Sequence, residues 1–592
     1  MTLAHTDYAD ALNDVQRRAV LQTDGPVLIF AGAGSGKTRV LTHRIAYLLD
    51  QKRIFPDRIL AVTFTNKAAN ELKTRLEGMV GSAARDLWVG TFHAICVRLL
   101  RRDGRKIGIA SNFAIMDEAD QRAVIKDAMV ESDIDERQLT PGAALDAISR
   151  AKNALLSPDE YESKETSFLA ERIARVYRAY DRRLRESNGL DFDDLIAWAI
   201  RLLETDVEVR TKYQNKFRYI LVDEYQDVNA AQYRLCALLA GEHKNLTVVG
   251  DDDQSIYSWR GSDFKNILRF EQDFPGTKVF KLEENYRSTQ QILRVAGELV
   301  ANNTTRHPKT LFTSRAEGEP VTVFACDTER SEARYAVEKI KDFVREGAAY
   351  RDFAILYRTN AQSRVFEEAM VADGIPYRVV GGVGFYSRVE IKDMLAYLRY
   401  IVNPSDALAF RRIVNVPRRS IGQQTLTSLI DAAEAAGQSV GQAIFDTDLL
   451  HRVVPKKQKE LERFAELVVQ LRERAKDSSI ADLLLVVMEE TGYTRSLQAE
   501  DTPDARGRLE NLQELVGVAR EFEQQNENGS IDDFLANIAL INDLDGLDTD
   551  TSFVTLMTLH SAKGLEFDNV FLPGWEEGLF PSQRTLDEQG RA

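Results

Sequence analysis

The sequence predicts an α/β protein built from two parallel-sheet domains, each interrupted by a mostly helical insert. Three observations carry that reading. Short apolar runs, PVLIFA, ILAVTF, YILVDE and NLTVVGDDD, alternate with helical patterns in the first half of the chain, as in a parallel sheet covered on both faces. The strand signal lapses into charged, helical sequence between about residues 107 and 189, and again between about 383 and 547. The runs PVTVFAC, DFAILYR and YRVVGG before the second lapse, with SFVTLMTL and NVFLPG after it, supply a second sheet.

A chain of 592 residues is too long for one hydrophobic core, and ordinary domain sizes divide it into roughly three to five. With 29% charged and 44% hydrophobic residues, and no apolar run near the ~18 residues of a bilayer span, it reads as soluble, with no membrane partner. The start, MTLAHTDYAD, has neither the basic nor the apolar stretch of a signal peptide. Cys96, Cys236 and Cys326 are scattered, as reduced thiols in a cytoplasm are, and the histidines stand in no zinc spacing with them. The net charge of −15 argues against a body coated in nucleic acid. Basic stripes at 98–106, 172–185 and 411–419 suggest a confined anionic track instead, with a solvated helix face as the alternative for each.

The segment AGAGSGKT (31–38) follows an apolar strand and opens a helix, so its glycines let backbone N–H groups turn onto phosphates at a positive helix terminus. Ala33, Gly34, Ser35 and Gly36 form the cradle; Lys37 reaches the β- and γ-phosphates, Thr38 holds Mg²⁺, and Arg39 follows. Ala31 stands where the strict pattern has glycine. YILVDEYQD (219–227) ends a buried strand in two carboxylates, Asp223 as a second Mg²⁺ contact and Glu224 as the base that activates water, with a solvated acidic turn as the alternative. Together these predict an NTPase. Guanine is disfavoured, because Asn66-Lys67 is followed by two alanines and no aspartate. In DDDQSIYSWRGSD (251–263), Gln254 can sense a γ-phosphate, while Tyr257, Trp259 and Arg260 form either a stacking platform for single strands or part of a core. On the first option the loop links nucleotide state to a nucleic-acid grip, as in a motor.

Leu12-Asn13 with Gln16, AGAGSGKT, FTNKAA, GTFHA, LDFDDL, VDEYQD, VGDDDQSIYSWRGSD, LEENYRS, YRTNAQSR and VTLMTLHSAKGLEFDNVFLPGWEEGLFP occur in that order along essentially the whole chain. The set resembles superfamily 1 DNA helicases of the UvrD/PcrA/Rep type, nearest to bacterial UvrD/PcrA. The resemblance implies two RecA-like P-loop motor domains: 1A at 1–108 and 190–280, and 2A at 281–382 and 548–592. Insert 1B falls at 109–189 and insert 2B at 383–547. It also implies ATP and Mg²⁺ as cofactors, and movement 3′ to 5′ along single-stranded DNA toward ss/ds junctions. By the same resemblance Gln16 would read adenine, Tyr286 would stack on it, Glu566 would approach the ribose, and Arg287 would be an arginine finger supplied by the second motor domain. The DNA track would comprise Phe64, Thr65, His93, Phe192, Tyr257, Trp259, Arg260, Arg358, Asn360 and His560, with Ser420 and Gly422 of 2B on duplex. Without the family, Arg287 reads as a surface salt-bridge former and His93 and His560 as structural histidines.

The implied role is DNA repair, by nucleotide excision or mismatch repair, or replication restart. The implied setting is the cytoplasm at the bacterial nucleoid, as a monomer or DNA-dependent dimer with repair proteins as partners. The rival is an ATP-gated remodeller that displaces proteins from DNA without processive unwinding. Two departures from the family pattern matter. PRRSIG (417–422) puts Ser420 where the family has glycine, and at positive φ serine would weaken a backbone contact to phosphate. The chain stops at LDEQGRA, before the family's arginine-bearing motif VI, so the second domain is expected to be truncated and hydrolysis slow.

Overall fold

The computed structural model describes residues 8–165, 167–256, 265–303, 306–380, 386, 388–500, 503–526, 529–540, 552–581 and 586. They form two compact units, Met1–Glu317 with Val389–Leu540, and Gly318–Arg388 with Ile541–Ala592. Residues 281–317, which the resemblance assigns to 2A, cluster with the unit that holds the first sheet.

The first unit is organised by β1 (Val27–Ala31), β2 (Ile59–Thr63), β3 (Trp88–Thr91), β6 (Tyr219–Val222), β7 (Leu246–Gly250) and β8 (Lys278–Leu282), in the order β3-β2-β6-β7-β1-β8. Every neighbouring pair is parallel, so all six C-terminal ends share one edge. β1, β2 and β7 are buried at every position, as a sheet covered on both faces requires. Successive residues serve opposite faces. Leu28, Phe30, Leu60 and Val62 pack with the helices Phe92–Asp103, Phe192–Thr205 and Ala230–Ala240. Val27, Ile29, Ile59 and Ala61 pack with Asp14–Leu21, Lys37–Asp50 and Asn66–Val80.

The first insert joins this sheet domain through a short parallel pair, β4 (Ala114–Ile115) and β5 (Gly189–Leu190). Its core is built on the helices Glu118–Glu131, Pro141–Asn153 and Phe168–Glu186. At its base the buried Lys152 ammonium lies 2.7 Å from both Asp191 and Asp194. Burial opposes the charge on Lys152, but the neighbouring carboxylates prevail and raise its pKa, while burial and then the Asp191 charge push Asp194 up to about 8. Asp191 also caps the helix Phe192–Thr205, so this ion cluster fixes where Phe192 begins.

The basic stripes are largely occupied within the fold. Arg98 and Arg102 lie over Trp88, Arg101 is 3.0 Å from Asp533, Arg178 2.7 Å from Asp159, Arg183 2.9 Å from Glu131, and Arg411 2.7 Å from Asp127. Several of these pairs fasten the second insert to the first insert and the sheet domain, as does Arg399 between Asp406 and Asp120. In the fold these contacts are adhesive.

The second unit contains β9 (Phe353–Tyr357), β10 (Tyr377–Val379), β11 (Val554–Thr558) and β12 (Asn569–Phe571), all parallel in the order β10-β11-β9-β12. Phe353, Ile355, Val554 and Leu556 pack against the helices Glu329–Arg345 and Ser363–Asp373. The run 320–326, expected as a strand, is not one: it pairs with no strand among the described residues, and Val323 is 93% exposed. An apolar, β-branched composition makes a strand only where a ladder and a buried face receive it. Among the described residues no helix is long and apolar enough to cross a membrane.

Candidate nucleotide site and nucleic-acid track

Because the strands of the first sheet are parallel, the loops after β1, β2, β3, β6 and β7 emerge on one edge, and these loops carry most of the residues singled out from the sequence. After β1 the chain turns through Gly34 at φ 65° and Gly36 at φ 86° into the helix Lys37–Asp50. A Cβ on Gly34 would stand 2.6 Å from Asn285 Nδ2 and 2.8 Å from Arg287 Cβ, so both backbone angle and space require glycine there. No side chain caps the helix, which leaves its N-terminal N–H groups for an anion. Ala31, the departure from the strict pattern, is the last residue of β1 and fully buried, a position where the strand takes alanine without strain.

Around that loop the structure brings together Gln16, Arg39, Tyr286 and Arg287. Gln16 Nε2 donates to Ser35 O at 3.0 Å, and Gln16 forms a capping box with Asn13 at the head of its helix. Arg39 donates to Ala11 O at 2.6 Å. Tyr286 N donates to Gly34 O at 2.9 Å, and its hydroxyl, 2.6 Å from Glu284, also accepts from Asn13 Nδ2 at 2.8 Å. Asn285 Nδ2 reaches Ala33 O at 2.6 Å, so the NYRS segment rests directly on the phosphate loop. Glu566 lies between β11 and β12 in the second unit and is exposed there.

Three of the groups proposed for chemistry, Lys37, Glu224 and Gln254, belong to a closed ring. Lys37 Nζ donates to Gln254 Oε1 at 3.3 Å and lies 3.8 Å from Glu224 Oε1. The other Glu224 oxygen accepts from Gln226 Nε2 at 2.5 Å. Gln226 Oε1 accepts from Asp251 N at 2.9 Å, and Asp251 Oδ2 accepts from Gln254 Nε2 at 2.5 Å. The ring therefore joins the lysine of the phosphate loop, the carboxylate after β6 and the glutamine after β7 through two residues, Gln226 and Asp251, to which sequence reading gave no role. Glu224 sits in the left-handed region at φ 49°, ψ 44°, a conformation that persists in a glutamate only where its surroundings over-determine it. Asp223 is buried, directly after β6, and one of its oxygens accepts from Glu224 N at 2.9 Å. With the Thr38 hydroxyl at the head of the helix after β1, it supplies the hard oxygen donors that suit Mg²⁺.

Further along the same edge, Phe64 and Thr65 follow β2, and Thr65 caps the helix Asn66–Val80. His93, after β3, meets Phe192 edge to face at 5.6 Å and 88°. In the second unit, Arg358 after β9 and His560 after β11 converge, with Arg358 Nη1 3.2 Å from His560 Nδ1, and Asn360 opens the turn beyond Arg358. Ser420, at the position where the resemblance expects glycine, adopts positive φ at 59°, whereas Gly422, capping the helix Gln423–Ala435, has an ordinary φ of −86°. Tyr257, Trp259 and Arg260 lie outside the described residues.

A family model described as the UvrD/REP helicase N-terminal domain matches residues 12–275, and one described as the UvrD-like helicase C-terminal domain matches residues 280–591. The chain is 46% identical over 581 residues to the ATP-dependent DNA helicase PcrA of Staphylococcus aureus (strain MRSA252), covering 98% of this chain and 79% of that protein. It is 47% identical over 580 residues to the protein of the same name from Staphylococcus epidermidis (strain RP62A), with the same two coverages. Matched by these models through both halves, and at this identity over nearly its whole length, the chain belongs to the UvrD/REP helicase family.

Proposed function

We propose that this helicase is an ATP-driven motor that moves 3′ to 5′ along single-stranded DNA and opens duplex at ss/ds junctions, in DNA repair or replication restart. The relatives named above are ATP-dependent DNA helicases, and the observation that carries the reading here is the Lys37–Glu224–Gln226–Asp251–Gln254 ring. Gln254 ends the ring three residues before Tyr257, so the sensor of the nucleotide and the stacking residues stand in one short stretch of sequence.

In this reading the triphosphate takes its place at the glycine loop and the head of the helix Lys37–Asp50, displacing Lys37 Nζ from its ring partners onto phosphate oxygens. Glu224 is then released from the ammonium, while Gln226 keeps it directed, and it accepts the proton of the attacking water. Gln16 and Tyr286 hold the base side, and Arg287 stabilises charge on the transferring group. Thr38 and Asp223 would hold Mg²⁺, which would neutralise charge on the phosphate oxygens. Gln254 follows the phosphate and carries the change toward Tyr257, Trp259 and Arg260, which follow it in sequence and would grip or release stacked bases.

Lys37→Ala is expected to weaken nucleotide binding and Glu224→Gln to preserve it, with turnover lost in both. Strand separation of a 3′-tailed duplex by the unaltered protein, abolished in both variants, is the expected result. Stripping of protein from single strands without strand separation would favour the remodeller, and turnover by Glu224→Gln at the unaltered rate would remove Glu224 as the base.

A further inference from the structure

Residues 306–315 of the first unit belong to no helix or strand, yet they are pinned along their length. At one end Arg306 donates to both oxygens of Asp253, at 2.9 and 2.7 Å, and His307 N donates to Asp252 at 2.6 Å. Between them and the next turn, the buried Lys309 ammonium lies 2.8 Å from Asp251 Oδ1, 2.6 Å from Asp253 Oδ2, and against Asp252. In the middle, Leu311 covers Gly32 so closely that a Cβ there would meet it at 2.2 Å, while Phe312 N donates to Glu283 O and Asn285 N to Phe312 O. At the far end Arg315 donates to Tyr286 O at 3.1 Å and Arg287 O at 2.9 Å. The strap therefore spans from the loop after β7 to the NYRS segment.

Asp251 is where the strap meets the ring: one oxygen takes Lys309, the other takes the Gln254 amide. Three consecutive carboxylates crowd one buried ammonium, and without it they would repel or take up protons. Asp252 and Asp253 have further partners on the strap, in His307 N and Arg306. Asp251 faces the ring, so its displacement draws Gln254 away from Lys37. We propose that Lys309 is a positioning residue for hydrolysis: through Asp251 it sets where the Gln254 side chain stands when phosphate arrives. The proposal rests on the reading of Gln254 as the phosphate sensor. Lys309 contacts the ring from outside, so its effect belongs in kcat rather than in KM for ATP.

The test is a double-mutant cycle on DNA-stimulated ATP hydrolysis, with Lys309→Met, Gln254→Ala, the pair together, and Arg306→Gln as a control from the same strap. Lys309→Met is expected to lower kcat about tenfold or more with KM within about twofold, and to add nothing in the Gln254→Ala background. Arg306→Gln, which loses an ion pair to Asp253 outside the ring, is expected to keep kcat within about twofold. Should Lys309→Met not fold, Asp251→Asn, which weakens the same link while keeping shape, is expected to give the same pattern. An equal fall in both Gln254 backgrounds, or an equal fall in Arg306→Gln, would overturn the proposal and make the strap scaffolding only. Gln254→Ala turning over at the unaltered rate would instead remove the sensor reading, and the proposal with it.

Discussion

Replacing Gln226 with leucine perturbs the ring at its best-buried member. Gln226 is fully buried, and leucine has nearly its volume, so the change creates no large cavity and its effects are polar. The 2.5 Å bond to Glu224 and the 2.9 Å bond from Asp251 N vanish, with a longer one of 3.4 Å to Asp227. Loss of the bond from Asp251 N leaves a buried N–H without its acceptor, which costs about 1–3 kcal/mol. Loss of the bond to Glu224 frees a carboxylate whose direction depends on a left-handed backbone, itself about 1–2 kcal/mol above the right-handed form. A displacement of the base of about 1 Å is worth up to about 10²-fold in rate. We therefore expect kcat with saturating single-stranded DNA to fall about 10- to 100-fold, KM for ATP to stay within about twofold, and the denaturation midpoint to drop by the equivalent of about 1–3 kcal/mol. Steady-state ATPase assays and denaturant unfolding read all three. A folded Gln226→Leu protein with kcat within about twofold of the unaltered rate would refute the claim that Gln226 directs the base.

Phe192→Ala is expected to weaken single-strand affinity by about 1–3 kcal/mol, read by anisotropy of a labelled oligonucleotide, without lowering Tm in parallel; a melting defect with normal binding would make the His93 contact merely structural. Ser420→Gly removes a left-handed serine at φ 59° and, after the added freedom of glycine in the unfolded chain, should stabilise the fold by about 0.5–1 kcal/mol, read by denaturant unfolding. A loss of stability would mean that the serine side chain outweighs its backbone strain.

The buried strands β1, β2, β6 and β7 were legible because burial on both faces writes an uninterrupted apolar run. β3, WVGT, and β8, KVFKL, were not: one is four residues long with a glycine, and the other is an edge strand with lysines among its apolar residues. Conversely, 320–326 has strand composition and no ladder among the described residues. The site divides in the same way. Lys37, Asp223 and Glu224 stand in local spacings fixed by the turn they make, so sequence reveals them. Lys309 acquires its place only when a segment 57 residues beyond Asp252 folds back onto it, and HPKTLF carries no period or motif that announces this. The partners of the basic stripes were hidden for a related reason: Asp533 and Asp127, which pair with Arg101 and Arg411, lie far away in the sequence. Ser420, which the resemblance sets at a glycine position, stands at a left-handed angle, the backbone feature that such a position asks for.

The central claim, directed movement driven by the phosphate site, is tested most directly by the time taken to release streptavidin from one biotinylated end of a single-stranded oligonucleotide during ATP hydrolysis. Movement 3′ to 5′ predicts release from the 5′ end, faster than spontaneous dissociation and abolished by Glu224→Gln, with the 3′-end complex unaffected. Release from the 3′ end, or steady ATP turnover with release from neither end, would contradict it.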